Sequence, residues 1–214
     1  MRLDVGAKVI TADGMEIGRL KEVVIDRRCN AVVALVVGDG SLGRDVAVMP
    51  EYLGPSDSRA ISLDLTVAEA ACLPDYRGPA SLVSLLAKPA PESVAEKGKP
   101  PQAADESARP GSKVAATGQP AESEEQAAGH LVAVGGETRV EAMDQAIGTL
   151  DQVIFDRATG RVGRFVVRRP TALTTWPVPL PDDWVSTITS QRIQLVVTLE
   201  EVEKMSNPRE KPAL

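Results

Sequence analysis

The sequence is poor in the side chains that carry most enzyme chemistry. Its 214 residues include one histidine, His130, and two cysteines, Cys29 and Cys72. A single imidazole excludes a metal site built from several histidines, and it restricts a Ser-His-Asp triad to the surroundings of His130. The cysteines form no CxxC or other metal-ligand spacing, which favours reduced thiols packed as small hydrophobic residues. We therefore expect a protein that is not an enzyme and needs no metal or cofactor.

Long hydrophobic runs and an excess of positive charge are also missing. The longest apolar run, residues 31–37, has seven residues, whereas a membrane-spanning helix needs about 20. The first residues also lack the charged-then-apolar order of a secretory signal. Lysine and arginine total 24 against 30 aspartates and glutamates, a net charge of -6, which argues against nucleic acid as the main partner. We expect a cytoplasmic protein without a transmembrane segment.

Bulky apolar residues are missing from the middle of the chain. Residues 88–128 contain six prolines, ten alanines, no aromatic residue, and only Val94 and Val114 as large aliphatic residues. Such a segment cannot bury enough apolar surface to offset the entropy of ordering it, so we predict a disordered linker. A segment that folds on binding a partner is the alternative. The linker separates two predicted domains, residues 1–87 and 129–206, and residues 207–214 form a predicted flexible tail.

The sequence contains one pattern twice. Residues 5–37 align with residues 135–167 at a constant offset of 130, without a gap, and 11 of the 33 positions are identical. Chance similarity does not keep apolar, glycine and Asp-Arg matches in one register this long, so each arm is predicted to be one folding unit. The matched motifs include Ile17-Gly18-x-Leu20 with Ile147-Gly148-x-Leu150, Asp26-Arg27 with Asp156-Arg157, Met49-Pro50 with Leu180-Pro181, and Thr66-x-x-Glu69 with Thr198-x-x-Glu201.

Short strands joined by hairpins are the main secondary structure that the pattern predicts. In both arms the candidate strands are rich in β-branched residues and bounded by turn residues. Asn30 and Gly160 occupy the same turn position, and these residue types best tolerate a positive φ. Gly18 and Gly148 interrupt their strands at one place, which indicates a bulge or a corner. The candidate strands are residues 23–25, 31–37, 153–155 and 164–167.

The end of each arm predicts a helix, and with it the fold class. The Thr-x-x-Glu sequences are capping-box signatures for one short helix near residues 67–72 and another near 199–205. Many short strands and one closing helix are typical of a small barrel. The predicted fold class is therefore mainly β, with two small β-barrels, each with a short C-terminal helix, joined by the disordered linker.

A glycine-rich loop in the first arm has the sequence pattern of a nucleotide-binding site. Residues 38–43 spell GxGxxG directly after a predicted strand. A dinucleotide site needs a helix that starts at this loop, so that the helix amides meet the pyrophosphate. Residues 44–50 instead alternate and end in proline, which is typical of a strand. The loop is therefore predicted to be a hairpin loop.

Turn and core residues of both arms are spaced as in a known family. In the first arm these are Val5-Gly6, Ile17-Gly18-x-Leu20-x-x-Val23-x-Ile25-Asp26, Val48-x-Pro50, Ile61-x-Leu63-x-Leu65-Thr66 and Leu73-Pro74-x-Tyr76. The pattern resembles the PRC-barrel domain, a family that includes the cytoplasmic domain of the photosynthetic reaction-centre H subunit and the C-terminal domain of a bacterial ribosome-maturation factor. The second arm resembles a more divergent member. The resemblance implies two tandem PRC-like barrels, and it implies a fold more than a reaction.

The expected function is that of a non-enzymatic intracellular adaptor that binds a protein partner. Two alternatives stay open: an accessory factor in RNA processing or ribosome assembly, and a peripheral partner of a photosynthetic or other membrane complex. The sequence is compatible with a homodimer and with packing of the two barrels on each other within one chain.

The candidate interface comes from a comparison of strand faces. Leu35 and Val37 match Phe165 and Val167, so this face is predicted to be the barrel interior in both arms. The opposite face of the first arm has no charge and needs a cover: its own terminal helix, the second barrel or another chain. In the second arm an arginine cluster could meet phosphate or an acidic protein, or could be a solvated face. The candidate interface residues are Val32, Ala34, Val36, Arg161, Arg164, Arg168 and Arg169.

We expect no nucleotide to bind at residues 38–43, because a strand follows the loop and supplies no helix dipole. Titration calorimetry with NAD or ATP at millimolar concentration should show no saturable heat. A saturable heat that disappears in Gly40→Val would contradict this interpretation of the loop.

Overall fold

The computed structural model describes residues 1–55, 60–86, 129–170 and 175–206. The predicted linker, residues 88–128, and the predicted tail, residues 207–214, lie outside the described residues.

Strands are the commonest element of the described chain, and short helices end each half. The first half contains β1 (Arg2–Asp4), β2 (Lys8–Ile10), β3 (Glu16–Asp26), β4 (Ala31–Gly38), β5 (Val46–Val48), a 3-10 turn (Pro50–Tyr52), β6 (Ala60–Ser62), α1 (Val67–Ala71) and α2 (Pro79–Leu86). The second half contains β7 (Leu131–Gly135), β8 (Arg139–Glu141), β9 (Ala146–Phe155), β10 (Val162–Pro170), β11 (Thr175–Pro181), a 3-10 turn (Asp182–Trp184), β12 (Val185–Ile188), β13 (Arg192–Leu195) and α3 (Leu199–Ser206).

The strands form two sheets, one centred on each half. The first has the order β5-β4-β3-β2-β6 and the second the order β11-β10-β9-β8-β13-β12. Within the described residues, no ladder of hydrogen bonds joins β5 to β6 or β11 to β12. The chain leaves β5 and β11 through the 3-10 turns, which cross between the sheet edges without extending a ladder. The mainly β class is confirmed, whereas the two closed barrels are not.

The central hairpins of the two halves have the same register. Leu20 pairs with Val37 in β3–β4, and Leu150 pairs with Val167 in β9–β10. Directly after these pairs, the pairing register of both ladders shifts by one residue. In the turns, φ is 49° at Asn30 and 71° at Gly160, which confirms the predicted hairpins.

The alignment without a gap needs a correction outside these hairpins. Val9 pairs with Gly18, and Val140 with Gly148, so the two halves are offset by 131 at β2 and by 130 at β3. The reason is a loop of residues 11–15 in the first half that is one residue longer than residues 142–145. Beyond β5 the 3-10 turns match at an offset of 132, so Pro50 corresponds to Asp182 rather than to Pro181.

Gly18 and Gly148 lie where another strand crosses close to them. The β2–β3 and β8–β9 ladders both shift register beside these glycines, which confirms the predicted bulge. A Cβ atom on Gly18 would lie 2.4 Å from the carbonyl oxygen of Gly38, and one on Gly148 would lie 2.2 Å from that of Arg168. Only glycine allows this approach.

Each half also gives its first strand to the sheet of the other half. β1 pairs with β9, and β7 pairs with β3, both antiparallel. The buried side chains of both halves form one hydrophobic cluster, which includes Leu3 and Phe165. The two predicted domains are thus joined by a shared core.

The outer face of the first sheet is covered by α2, a helix that the sequence patterns did not indicate. Leu82 of α2 is fully buried in a second cluster on this face, together with Ala34 and Val36 of β4. β7 adds Leu131 and Ala133 to the same cluster. The cover is therefore a helix of the same chain, but it is α2 and not the predicted terminal helix near residues 67–72.

The predicted terminal helices are confirmed. The Thr66 hydroxyl accepts from the amide of Glu69, and the Glu69 carboxylate accepts from the amide of Thr66. That second bond lowers the pKa of Glu69. In α3 the Glu201 carboxylate accepts in the same way from the Thr198 amide, at 2.8 Å.

Ala34→Arg should destabilise the fold by about 3 kcal/mol or more, because it places a charge beneath Leu82. The control is Arg164→Ala at the matching exposed position of β10, which should change the unfolding free energy by less than about 0.5 kcal/mol. Denaturant unfolding measures both. Wild-type stability in Ala34→Arg would show that α2 does not cover this face.

Gly148→Ala should cost about 1 to 3 kcal/mol of unfolding free energy, because its Cβ atom overlaps the backbone of β10. Gly163→Ala is the matched control, since the nearest atom to a Cβ there is 3.9 Å away. Equal melting temperatures for the two variants would refute the close approach of β10 to Gly148.

Candidate interaction surfaces

The candidate interface residues of the first half are buried within the chain itself. Val32 is 4% exposed and lies in the main core, because the bulge in β3–β4 turns it to the same side as Leu35. Ala34 and Val36 are at most 1% exposed and lie beneath α2. Ala34 and Val36 cannot contact another chain while α2 stays in place, and Val32 is enclosed in the main core.

The close packing of α2 on the sheet depends on small side chains in the strands below it. Ala34, Ala47 and Ala133 are buried in the cluster that receives Leu82. Small residues let a helix approach a sheet closely. Tyr76, which precedes the helix, packs against the same cluster, and burial raises the pKa of its hydroxyl.

The matching outer face of the second half is open to solvent and carries arginines. Arg164 and Arg168 point to this side of β10 and are exposed, with Val166 between them. The side of β11 next to them presents the exposed Pro177 and Pro179. Val166 is nevertheless only 5% exposed, which fits arginine stems that lie over an apolar residue while their charged ends reach water.

The four candidate arginines do not form one cluster. Arg168 makes an ion pair with Asp151. Arg169 turns to the opposite side of the strand and pairs with Glu203 of α3, with 2.7 Å between nitrogen and oxygen. Arg161 and Arg164 are exposed and have no ion-pair partner within the part of the chain that the structure describes.

The repeated Asp-Arg motif has two structural roles. The carboxylate of Asp26 accepts from the amide of Arg28 at 2.8 Å, and that of Asp156 accepts from the amide of Ala158 at 3.0 Å. The Ala158 bond, with help from the Thr159 hydroxyl, lowers the pKa of Asp156. The aspartates therefore hold their turns, in agreement with the sequence pattern.

The arginines of this motif reach across to the other half, which sequence reasoning missed. Arg27 donates to the carbonyl oxygens of Gly129 at 2.5 Å and of Ile188 at 3.4 Å. Arg157 donates to the carbonyl oxygens of Leu53 and Gly54 in the first half. The only sequence signal for these contacts was the presence of the motif in both arms.

A cleft of about 510 Å³ lies where the halves meet, and it contains the single histidine. His130 Nε2 is 3.5 Å from the nearer carboxylate oxygen of Asp26. Ser186 also lines the cleft, but its hydroxyl donates to the carbonyl oxygen of Gln194 at 3.0 Å and not to His130. The cleft therefore contains no serine activated by a histidine.

The glycine-rich loop contributes backbone packing. β5 follows the loop directly, so no helix begins there. A Cβ atom on Gly40 would lie 1.9 Å from the carbonyl oxygen of Ile17, which explains this glycine by its contact with β3. In residues 1–55, 60–86, 129–170 and 175–206, no three His, Cys, Asp or Glu side chains are grouped so that they could hold a metal ion.

The expected packing of the two cysteines is wrong. Cys29 and Cys72 are both free thiols, and both are exposed. Cys29 lies in the β3–β4 turn and Cys72 directly follows α1, so neither side chain is part of the core.

Across the same described residues, no helix combines the length and the apolar character that a membrane crossing requires.

Comparison with known proteins identifies part of the first half. No curated protein matches the chain. The model of the PRC-barrel domain family matches residues 5–60. This match begins just after β1 and ends at the first residue of β6, so it covers the β3–β4 hairpin and the glycine-rich loop. Residues 5–60 are a PRC-barrel domain.

Proposed function

We propose that this protein is a non-enzymatic cytoplasmic adaptor that binds an acidic protein partner through the outer face of its second half. In this proposal the second half is a divergent second PRC-type unit. The equal registers of β3–β4 and β9–β10 support that view, as do the matching 3-10 turns and capped helices.

The observation that carries the proposal is the difference between the two outer faces. At matching positions the first half has Ala34 beneath a helix, and the second half has Arg164 in solvent. Helix α2 covers the outer face of the first sheet, whereas the outer face of the second sheet is accessible. A sheet face that presents the unpaired Arg164 beside the exposed Pro177 and Pro179 suits a partner with carboxylates around a small apolar contact.

Charge and composition favour a protein over RNA as this partner. Single-stranded nucleic acids are held by aromatic side chains on which bases stack, together with a basic groove. Among the aromatic side chains of the second half that the structure describes, Phe155 and Phe165 are buried, and Trp184 is partly buried against the core. The described outer face offers arginines and prolines but no aromatic platform.

The test compares two arginine variants of the full-length tagged protein after mild crosslinking in cells. Arg161→Ala combined with Arg164→Ala should lower recovery of the main crosslinked protein about tenfold, because each lost charge contact contributes roughly 0.5 to 1 kcal/mol. Arg192→Ala is the matched control, since it removes an exposed arginine of the same sheet that pairs with Glu141. Recovery in this control should stay at the wild-type level.

Two outcomes would contradict the proposal. Equal recovery from the double variant and from Arg192→Ala would remove the outer face as the binding surface. Recovery that disappears after ribonuclease treatment would replace the protein partner by RNA and support the ribosome-assembly alternative.

A further inference from the structure

We infer that the surface between the two halves is self-complementary, and that a second copy of this chain can supply the matching half. Two chains would then exchange halves and form a dimer with the same contacts as the single chain. The inference concerns the surface between the halves and does not depend on the outer face discussed above.

The exchanged strands are the first support. Leu3 of β1 pairs with Val153 of β9, and Val134 of β7 pairs with Val23 of β3. Val23 and Val153 are equivalent positions of the two halves at the offset of 130. All four side chains are completely buried. Each half therefore adds its first strand to the equivalent strand of the other half. In both cases an aliphatic side chain pairs with the equivalent valine.

The hairpin turns repeat this reciprocity. The amide of Val32 donates to the carbonyl oxygen of Gly160 at 2.9 Å, and the amide of Val162 donates to that of Asn30 at 2.8 Å. Ala31 and Arg161 form an isolated antiparallel bridge between these two bonds. Exchanging the halves turns each contact into the other, which is the defining property of a two-fold interface.

The arginines of the Asp-Arg motif also cross between the halves, although their acceptors are not at equivalent positions. Arg27 binds backbone carbonyls in and before the second sheet, and Arg157 binds backbone carbonyls after the 3-10 turn of the first half. Backbone carbonyls are present whatever the partner's side chains are. These contacts therefore need a half with this backbone and do not need that half to belong to the same chain.

The halves are joined by a long connection. Residues 87–128, 42 residues, separate the end of α2 from the described start of the second half. Two paired halves make the same contacts whether they belong to one chain or to two. The concentration of the chain therefore decides between the monomer and the exchanged dimer. The balance shifts to dimer near the effective concentration of linked modules, about 1 mM.

The experiment uses the full chain with a specific protease site inserted between Gly111 and Ser112. After unfolding and refolding at about 1 µM, light scattering should give the monomer mass of 22.6 kDa. Refolding at about 1 mM should add a species of twice that mass. Cutting both connections should then return this dimer to particles of monomer mass, because each paired unit contains one fragment from each chain.

Arg192→Ala is the control and should form the same fraction of dimer, since Arg192 lies outside the surface between the halves. A dimer that keeps its mass after cutting would refute exchange of halves, because ordinary surface contacts do not depend on the connection. Refolding that yields only monomer at about 1 mM would also refute it.

A second measurement covers the case in which concentrated refolding aggregates. Cut protein is prepared in unlabelled and in ¹⁵N-labelled form, mixed, unfolded and refolded at low concentration. Native mass spectrometry should find particles with one light and one heavy fragment in statistical proportion. If no hybrid particles form while the uncut chain refolds, the halves do not recognise a partner from another chain. Failure of the adaptor proposal would leave both measurements unchanged.

Discussion

The structure depends on one constraint: neither half completes its central sheet without a strand from the other. β3 and β9 are the longest strands of their sheets, with 11 and 10 residues. Each pairs with the short first strand of the opposite half. Leu3 and Val134 lie on these exchanged strands and are fully buried, and the main core runs through both halves as one cluster. The turns, the crossing arginines and the cleft at His130 all lie where these contacts bring the halves together.

The two halves share a framework and differ in what lies outside it. α2 covers the outer face of the first sheet, and the alanines beneath it leave space for Leu82. The second sheet has Arg164 and Pro179 at the positions that match Ala34 and Ala47. The longer side chain and the proline ring would keep a helix from the same close approach. The same strand order thus gives one outer face that is covered by a helix of the chain and one that is exposed to solvent.

Local signals in the sequence predicted the parts of the fold that depend on neighbouring residues. The hairpins at Asn30 and Gly160, the bulges at Gly18 and Gly148, and the capped helix after Thr66 each follow from short-range backbone preferences. The strand exchange could not be predicted in this way, because β1 has three residues and pairs with a strand about 150 residues away. Simple alternation also misplaced Val32, because a bulge reverses the faces of a strand.

The candidate site was less accessible to such reasoning, since exposure depends on what packs above a strand. Nothing in residues 31–37 shows that α2 covers them, and the run of arginines does not show that Arg169 turns toward α3. The crossing of Arg27 and Arg157 required knowledge of how the halves meet. The repeated Asp-Arg motif marked the position but not the contact.

The prolines of β11 have a consequence for how the second sheet can associate. β11 is the outermost strand, and Pro177, Pro179 and Pro181 alternate along it. Each proline removes an amide hydrogen that an incoming strand would need, so this edge cannot be extended by another chain through a regular ladder. β5, the matching edge of the first sheet, has only three residues. Pairing with another chain is therefore disfavoured along these two edge strands, and at β11 it leaves side chains as the groups that another molecule can contact.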